Sequence, residues 1–180
     1  MIDDLRAVDG LLSPDERSLL EVYAARVQTS FGPAANIVNI GVLHGASCGM
    51  CRAGAPEANL IGVDTNGWER LHIDNDLLKM ELLVGDSTEI HPQFRRPIHM
   101  IFVDGDHGYK TVRADIIHWV QQYTVIGGFA LFHDAHYEPE SQFYNACRGV
   151  REALAEILDT NEDWRELQGA DTVRVFQRKR

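Results

Sequence analysis

From Asn36 onward, short and nearly continuous apolar runs alternate with longer stretches of helical periodicity. The apolar runs are 36–41 (NIVNIG), 60–64 (LIGVD), 81–84 (ELLV), 98–103 (IHMIFV) and 127–133 (GGFALFH), and the helical patterns fall at about 46–56, 68–78, 109–123 and 142–158. A strand that is apolar at consecutive positions has no face to offer water, so these runs read as strands covered on both sides. Strands alternating with helices imply right-handed crossovers and a parallel sheet. A last pair of segments, 164–168 and 172–177 around Gly169-Ala170, reads as an antiparallel hairpin that closes the sheet. The expected fold is α/β: a doubly wound, mainly parallel sheet of about seven strands with helices on both faces.

Ahead of this core, Ser13-Pro14-Asp15-Glu16 carries a helix start. The serine can cap, proline suits the first turn, and Glu16 stands three residues on for a capping box. Leu19, Leu20, Val22, Tyr23 and Val27 then recur at helical spacing until Gly32-Pro33. Residues 1–32 therefore read as a helical lead-in and 33–180 as the core of a single domain, which a chain of 180 residues can fold without disulfide or structural metal.

The net charge of −10 argues against a nucleic-acid partner, because phosphate attraction needs a basic face. Arg174, Arg178, Lys179 and Arg180 form a local basic run that reads as a solvated tail. No apolar run approaches the ~20 residues that span a bilayer, the chain opens on Met1-Ile2-Asp3-Asp4, and three cysteines make no disulfide framework. A cytoplasmic protein without a membrane partner is expected. Cys48-x-x-Cys51 opens a helix, where a redox pair could sit, but two small residues on a helix face is the better account.

In an open α/β sheet, ligands bind outside the carboxyl ends of the strands, where strand order reverses. Each run here ends on residues that could meet a ligand: Gly41-Val42-Leu43-His44-Gly45, Asp64, Gly85-Asp86-Ser87, Asp104-Gly105-Asp106-His107 and His133-Asp134-Ala135-His136. Gly41 and Gly45 flank a strand-to-helix turn, and Leu43 breaks the G-x-G-x-x-G pattern of a dinucleotide site. Asp64 can accept two hydrogen bonds from a ribose diol or cap the next helix. Asp86 can accept from an adenine amino group or cap a helix at 88–92.

The order Gly41-x-x-x-Gly45, Asp64, Gly85-Asp86, Asp104-Gly105-Asp106-His107, Gly127-Gly128 resembles the motifs of class I S-adenosylmethionine-dependent methyltransferases, over about residues 36–158. The stretch Phe102 to Tyr109, followed by Val112-Arg113-Ala114-Asp115-Ile116, is similar to their small-molecule O-methyltransferase subgroup. The resemblance implies a Rossmann-like fold and S-adenosylmethionine as cofactor. It implies that the Gly41–Gly45 loop passes under the methionine part, Asp64 holds the ribose, and Asp86 with Ser87 flanks the adenine. Asp104 would lie near the methionine end and the acceptor. Asn39 stands where such enzymes often carry an acid, so no negative charge meets the cationic cofactor there.

Methyl transfer to a hydroxyl requires that the oxygen be positioned and its proton affinity lowered, by a general base or a divalent cation. The resemblance to metal-dependent enzymes of this kind implies Asp104 and Asp134 as ligands, of a type suited to Mg²⁺, and His107 as base. His133, His136, Tyr109 and Tyr137 are weighed as further pocket residues against ordinary packing roles. Two other readings stand beside this one: a metal-dependent hydrolase or phosphotransferase built on Asp104 and Asp106, and a cofactor-binding protein without catalysis. The acceptor would be a sugar or natural-product-like metabolite. With only His136–Ser141 after the fifth run, either the acceptor site is open or another subunit of a homo-oligomer covers it.

Overall fold

The computed structural model describes residues 2–71 and 74–180. A short helix α1 (Ile2–Arg6) leads to α2 (Pro14–Phe31), which begins as expected. Ser13 Oγ accepts from the Glu16 N–H at 3.2 Å and Glu16 Oε2 accepts from the Ser13 N–H at 2.9 Å, a complete capping box. Helix α2 buries Glu16, Leu20, Tyr23, Ala24 and Val27 along one stripe, while Val22 faces outward.

The core then runs β1 (Asn36–Ile40), α3 (Ala46–Gly54), β2 (Asn59–Asp64), α4 (Trp68–Leu71), α5 (Asn75–Leu78), β3 (Glu81–Val84), α6 (Ser87–Ile90), β4 (Ile98–Val103), α7 (Tyr109–Asp115), β5 (Thr124–Phe132), α8 (Arg148–Ile157), β6 (Trp164–Ala170) and β7 (Val173–Arg178). The seven strands form one sheet in the order β3-β2-β1-β4-β5-β7-β6. β1 to β5 are parallel, and β7 returns antiparallel between β5 and β6. This is the mainly parallel, doubly wound sheet with a closing hairpin that the sequence pattern implies.

Consecutive apolar residues are needed because successive side chains serve opposite layers. Met100 and Phe102 of β4, with Phe129 and Leu131 of β5, pack with α2 and α3 residues on one face. Ile101 and Val103, with Ala130 and Phe132, pack with α7 and α8 residues on the other. All seven residues from Ala46 to Arg52 of α3 are buried, Cys48 and Cys51 among them. Burial pushes both thiols up, Cys51 to about 12, so neither is a thiolate redox centre. Among the described residues, buried Arg52 donates only to carbonyls, including Leu78 (2.7 Å), Ala58 (2.8 Å) and Lys79 (3.0 Å), and so joins α3 to α5.

Several elements differ in detail from expectation; β6 runs on through Ala170, so the hairpin turns at Asp171-Thr172 instead of Gly169-Ala170. The helix at 68–78 is two short helices, with residues 72 and 73 outside the described residues. The helix at 109–123 keeps its expected bounds, but its middle, Ile116–Gln121, is π-helical and seats Trp119 so that its Nε1 donates to the Ser87 carbonyl at 3.0 Å. β5 starts at Thr124, and the register skip from Ile98↔Thr124 to Met100↔Phe129 marks a bulge around Gly127-Gly128. The helix at 142–158 begins only at Arg148, because Phe143 packs against Tyr137 (5.9 Å between ring centroids) instead of joining the buried stripe of α8.

The basic C-terminal run is not a loose tail. Arg174 pairs with Asp159 (2.7 Å) and Glu166 (2.7 Å), and Arg178 donates to the carbonyls of Gln121 and Thr124. Among the described residues, no helix is long and apolar enough to cross a membrane.

Candidate active site

Register builds the site. Ile40 lies opposite both Val63 and Val103, and Val103 lies opposite Phe132. The next residue on each strand therefore falls in one row: Asp64, Gly41, Asp104, His133. The ladder runs one bond beyond the strands, since Gly41 N–H donates to Val63 O (2.9 Å), Asp104 N–H to Ile40 O (2.8 Å), His133 N–H to Val103 O (3.1 Å) and Gly85 N–H to Asp64 O (2.8 Å). Chain connections diverge between β1 and β4, so the row crosses the point where strand order reverses. A cleft of about 450 Å³ opens there, walled by Gly41, Leu43, Asp64, Asp86, Ser87, Asp104, His107, His133 and Asp134, and by Leu11 and Leu12 of the lead-in.

At Gly41 (φ +82°) an added Cβ would stand 2.1 Å from the Asp104 carbonyl oxygen, so the turn out of β1 admits only glycine. Asp64 holds the loop that follows: Oδ2 accepts from the Val42 (2.9 Å) and Leu43 (3.2 Å) N–H groups, and Oδ1 from the Asn66 N–H (2.8 Å) and side-chain amide (3.1 Å). Gly45 is the left-handed N-cap of α3 and stands outside the cleft wall. Asn39 is fully buried and also outside that wall; its amide donates to the Gly41 carbonyl at 2.7 Å. Asp86 caps α6, accepting from the Thr88 N–H (2.8 Å) and hydroxyl (2.7 Å), and still borders the cleft. Ser87 is buried beneath it.

The opposite end of the row is an acid–histidine cluster. His133 Nδ1 lies 3.1 Å from Asp104 Oδ1 and 3.2 Å from Asp134 Oδ2, while Nε2 hydrogen-bonds Glu16 Oε2 at 3.3 Å. His107 Nε2 lies 2.8 Å from Asp134 Oδ2, and the Tyr137 hydroxyl donates to Asp134 Oδ1. Glu16 also accepts from the Thr172 N–H (3.0 Å) and hydroxyl (2.7 Å), and the Thr172 carbonyl takes the Ala135 N–H (2.9 Å) beside the cluster.

Burial alone would lower His133, but Asp104, Asp134 and Glu16 outweigh it and hold the imidazole up at about 12. Burial works against ionised Glu16 and Asp134 as well, yet their histidine and hydroxyl partners bring Glu16 down to about 2 and Asp134 well below the usual carboxylate range. Burial pushes Asp104 up, offset in part by His133. The neighbouring Asp134 carboxylate raises His107 above the ordinary imidazole range.

Other sequence candidates take no part in the acid–histidine cluster, although Asp106 also lines the cleft. Asp106 is turned toward its own loop, where the Thr111 hydroxyl and the backbone of Gly108 and His107 lower its carboxyl. The Tyr109 hydroxyl donates to Glu156, and exposed His136 lies 3.6 Å from Glu138. Sequence reasoning read Glu16 only as a helix cap. Its partner is 117 positions away, and nothing local to either residue signals their contact. Cys147, within 4.8 Å of donor atoms on His107 and Asp134, was missed for the same reason.

The model of the family described as "Methyltransferase domain" matches residues 38–135, the span from β1 through the acid–histidine cluster. No curated protein sequence matches the chain. Similar solved structures include the O-methyltransferase TomG from Streptomyces achromogenes, involved in tomaymycin synthesis and bound to SAM (19% identity, 99% of this chain and 89% of that one, TM-score 0.70). An O-methyltransferase from Bacillus cereus with SAH (18%, 98% and 86%, 0.66) and the SAH-bound methyltransferase PaMTH1 from Podospora anserina (15%, 99% and 86%, 0.71) share the fold as well. With the family match running over more than half of the chain and through the whole row of strand ends, the protein belongs to the methyltransferase-domain family.

Proposed function

We propose that the protein transfers a methyl group from S-adenosylmethionine to a hydroxyl of a small metabolite. The observation that carries this reading is the single row Asp64–Gly41–Asp104–His133, which joins a nucleoside-sized cleft to an acid–histidine cluster at one sheet edge. S-adenosylmethionine supplies a methyl carbon on a sulfonium, open to in-line attack by the acceptor oxygen. In this reading Gly41 lets the backbone approach the methionine part, Asp64 and Asp86 hold the ribose and adenine, and Asn39 and Gly45 act from behind by shaping the Gly41 loop.

His107 borders the cleft with a part-exposed ring and takes the acceptor proton as the oxygen attacks. Asp104 and Asp134 offer hard oxygen donors for a divalent cation that would lower the acceptor's proton affinity. Their fit to a cation rests on two carboxylate oxygens gathered around a ring nitrogen without a hydrogen-bond partner, His133 Nδ1. The bound SAM and SAH of the similar O-methyltransferases support the cofactor and the oxygen acceptor. The rival built on an Asp104/Asp106 pair loses support because Asp106 is engaged with its own loop.

The test is calorimetric titration of the pure protein with S-adenosylmethionine, NAD and ATP, followed by methyl transfer to a panel of hydroxylated sugars and phenols. Saturable binding of S-adenosylmethionine alone, with product on at least one hydroxyl, is expected. Binding of ATP or NAD in its place would overturn the reading.

A further inference from the structure

Two side chains from the helix after β4 hold Ser87 from behind. Trp119 Nε1 donates to its carbonyl at 3.0 Å, and one turn earlier the Asp115 carboxyl faces its hydroxyl. Ser87 is buried yet borders the cleft beside Asp86, whereas Asp115 is buried outside the cleft wall. Among the described residues no cation pairs with Asp115. The charged groups that act on it are Asp86, from the start of α6, and Asp106, from the loop before α7, and both are acids. A carboxylate there has neither solvent nor a counter-charge, so the fold favours the neutral acid, and burial pushes the group up to about 7. A neutral carboxyl donates one hydrogen bond, while an ionised one only accepts. With Asp115 protonated, its O–H goes to Ser87 Oγ and the Ser87 hydroxyl is left to donate into the cleft. With Asp115 ionised, that hydroxyl turns back to the carboxylate and shows the cleft only lone pairs.

We propose that Asp115 is a positioning residue of the cofactor's adenine subsite, whose neutral carboxyl keeps Ser87 as a donor to the ring nitrogen beside the amino group that Asp86 accepts. The inference rests on the reading that Asp86 and Ser87 flank the adenine, and extends it to a residue outside the cleft and to the base selected. Adenine offers a donor at its amino group and an acceptor at N1, which an Asp86 acceptor and a Ser87 donor match. Hypoxanthine reverses both, with an oxygen in place of the amino group and a hydrogen on N1. A site built to hydrogen-bond one pattern rejects the other, because its buried polar groups are left unpaired. Ionised Asp115 sets two acceptors against the adenine edge and weakens the match. The Trp119 bond fixes the Ser87 carbonyl and leaves the hydroxyl as the part that turns.

The experiment titrates the full chain by calorimetry with S-adenosylhomocysteine and with S-inosylhomocysteine, from about pH 5.5 to about pH 8, a range that spans the ionisation of Asp115. No methyl acceptor is needed. The wild type should bind the adenine compound about 5- to 10-fold more weakly at the upper end, as loss of one hydrogen bond with its partner left unpaired requires. The hypoxanthine compound should bind more weakly and without that loss. Asp115→Asn cannot ionise, and its amide donates as the neutral acid does, so it should hold the low-pH affinity for S-adenosylhomocysteine to the upper end. Ser87→Ala should bind the adenine compound weakly throughout and show no pH dependence, with thermal melting confirming that each variant is folded. An affinity for S-adenosylhomocysteine that is flat with pH in the wild type, or that falls as steeply in a folded Asp115→Asn, would overturn the inference and leave the cofactor reading standing. Absence of S-adenosylhomocysteine binding at every pH would overturn both.

Discussion

The two ends of the strand row are built on opposite terms. At the β1–β2 end, each carboxylate oxygen of Asp64 already accepts from two N–H groups of the chain. At the β4–β5 end, His107 Nε2 and His133 Nδ1 face carboxylate oxygens at 2.8–3.2 Å in ion-pair contacts that lack full hydrogen-bond alignment. The first arrangement is satisfied and holds a loop in shape before any ligand arrives. The second is a buried set of charges left open toward the cleft, and open buried polar atoms persist where function requires them. On the proposed reading, binding and chemistry are separable along one row, and each of the following substitutions should fall on one side or the other.

The largest effect belongs to the open end. His107→Ala should lower kcat by the ~10²–10⁴-fold typical of a lost general base while the Kd for S-adenosylmethionine stays within about twofold. Near-full activity in that variant would show that the hydroxyl is activated without His107, and would collapse the division between the two ends.

Next in size is a carboxylate that stands outside the row. Asp115, at the end of α7, is 1% exposed, its two oxygens lack a well-aligned hydrogen bond among the described residues, and burial, offset only in part by the Ser87 side chain, pushes it up to about 7. Between about pH 4 and pH 7 the unfolded chain releases this proton and the folded one keeps it, so stability falls as pH rises. Asp115→Asn cannot ionise. It should match the wild type near pH 3.5 and exceed it by up to roughly 4 kcal/mol above pH 7, measured by urea unfolding across that range. A difference independent of pH would assign the ionisation elsewhere.

At the satisfied end, Asp64→Ala removes charge-assisted hydrogen bonds worth roughly 1.5–3 kcal/mol. Affinity for S-adenosylmethionine should drop about 10- to 100-fold, through lost ribose contacts and a loosened Val42–Leu43 loop. Calorimetry on a folded Asp64→Ala with unchanged affinity would remove this end from cofactor binding.

The smallest expected change is at the cap. Ser13→Ala deletes one acceptor at the start of α2, and also the hydroxyl that donates to Asp171 in the β6–β7 turn. A stability loss near 1 kcal/mol, with kcat unaltered, is expected from urea melts.

Strand positions were legible because two-sided burial writes itself as consecutive apolar residues, and β4 falls on 98–103 without adjustment; β3 also falls on 81–84, although as an edge strand it is only half-buried or exposed. Parallel register then turns those boundaries into a row, so Gly41, Asp64 and Asp104 were readable as neighbours although 63 positions separate the first from the last. What could not be read depends on packing between distant segments. Phe143 leaves the pattern of α8 for Tyr137, and the π-helical turn after α7 follows from seating Trp119 in the core. Glu16 carries every local mark of a capping residue and fulfils that role. Only the docking of α2 beside the ends of β5 and β7 brings it to His133.

That placement of Glu16 makes the fixing of His133 conditional on a docked lead-in. A nascent or partly unfolded chain in which the lead-in has not docked keeps the Gly41 loop and Asp64, since both belong to adjacent strands, but leaves His133 without its anchor. Such a species would keep the cleft wall of the β1–β2 end and lose the fixed imidazole at the β4–β5 end. The N-terminal helix therefore cannot be exchanged as an independent part. A graft that preserves its hydrophobic stripe but drops the Glu16 carboxylate would leave the His133 ring without its Nε2 partner.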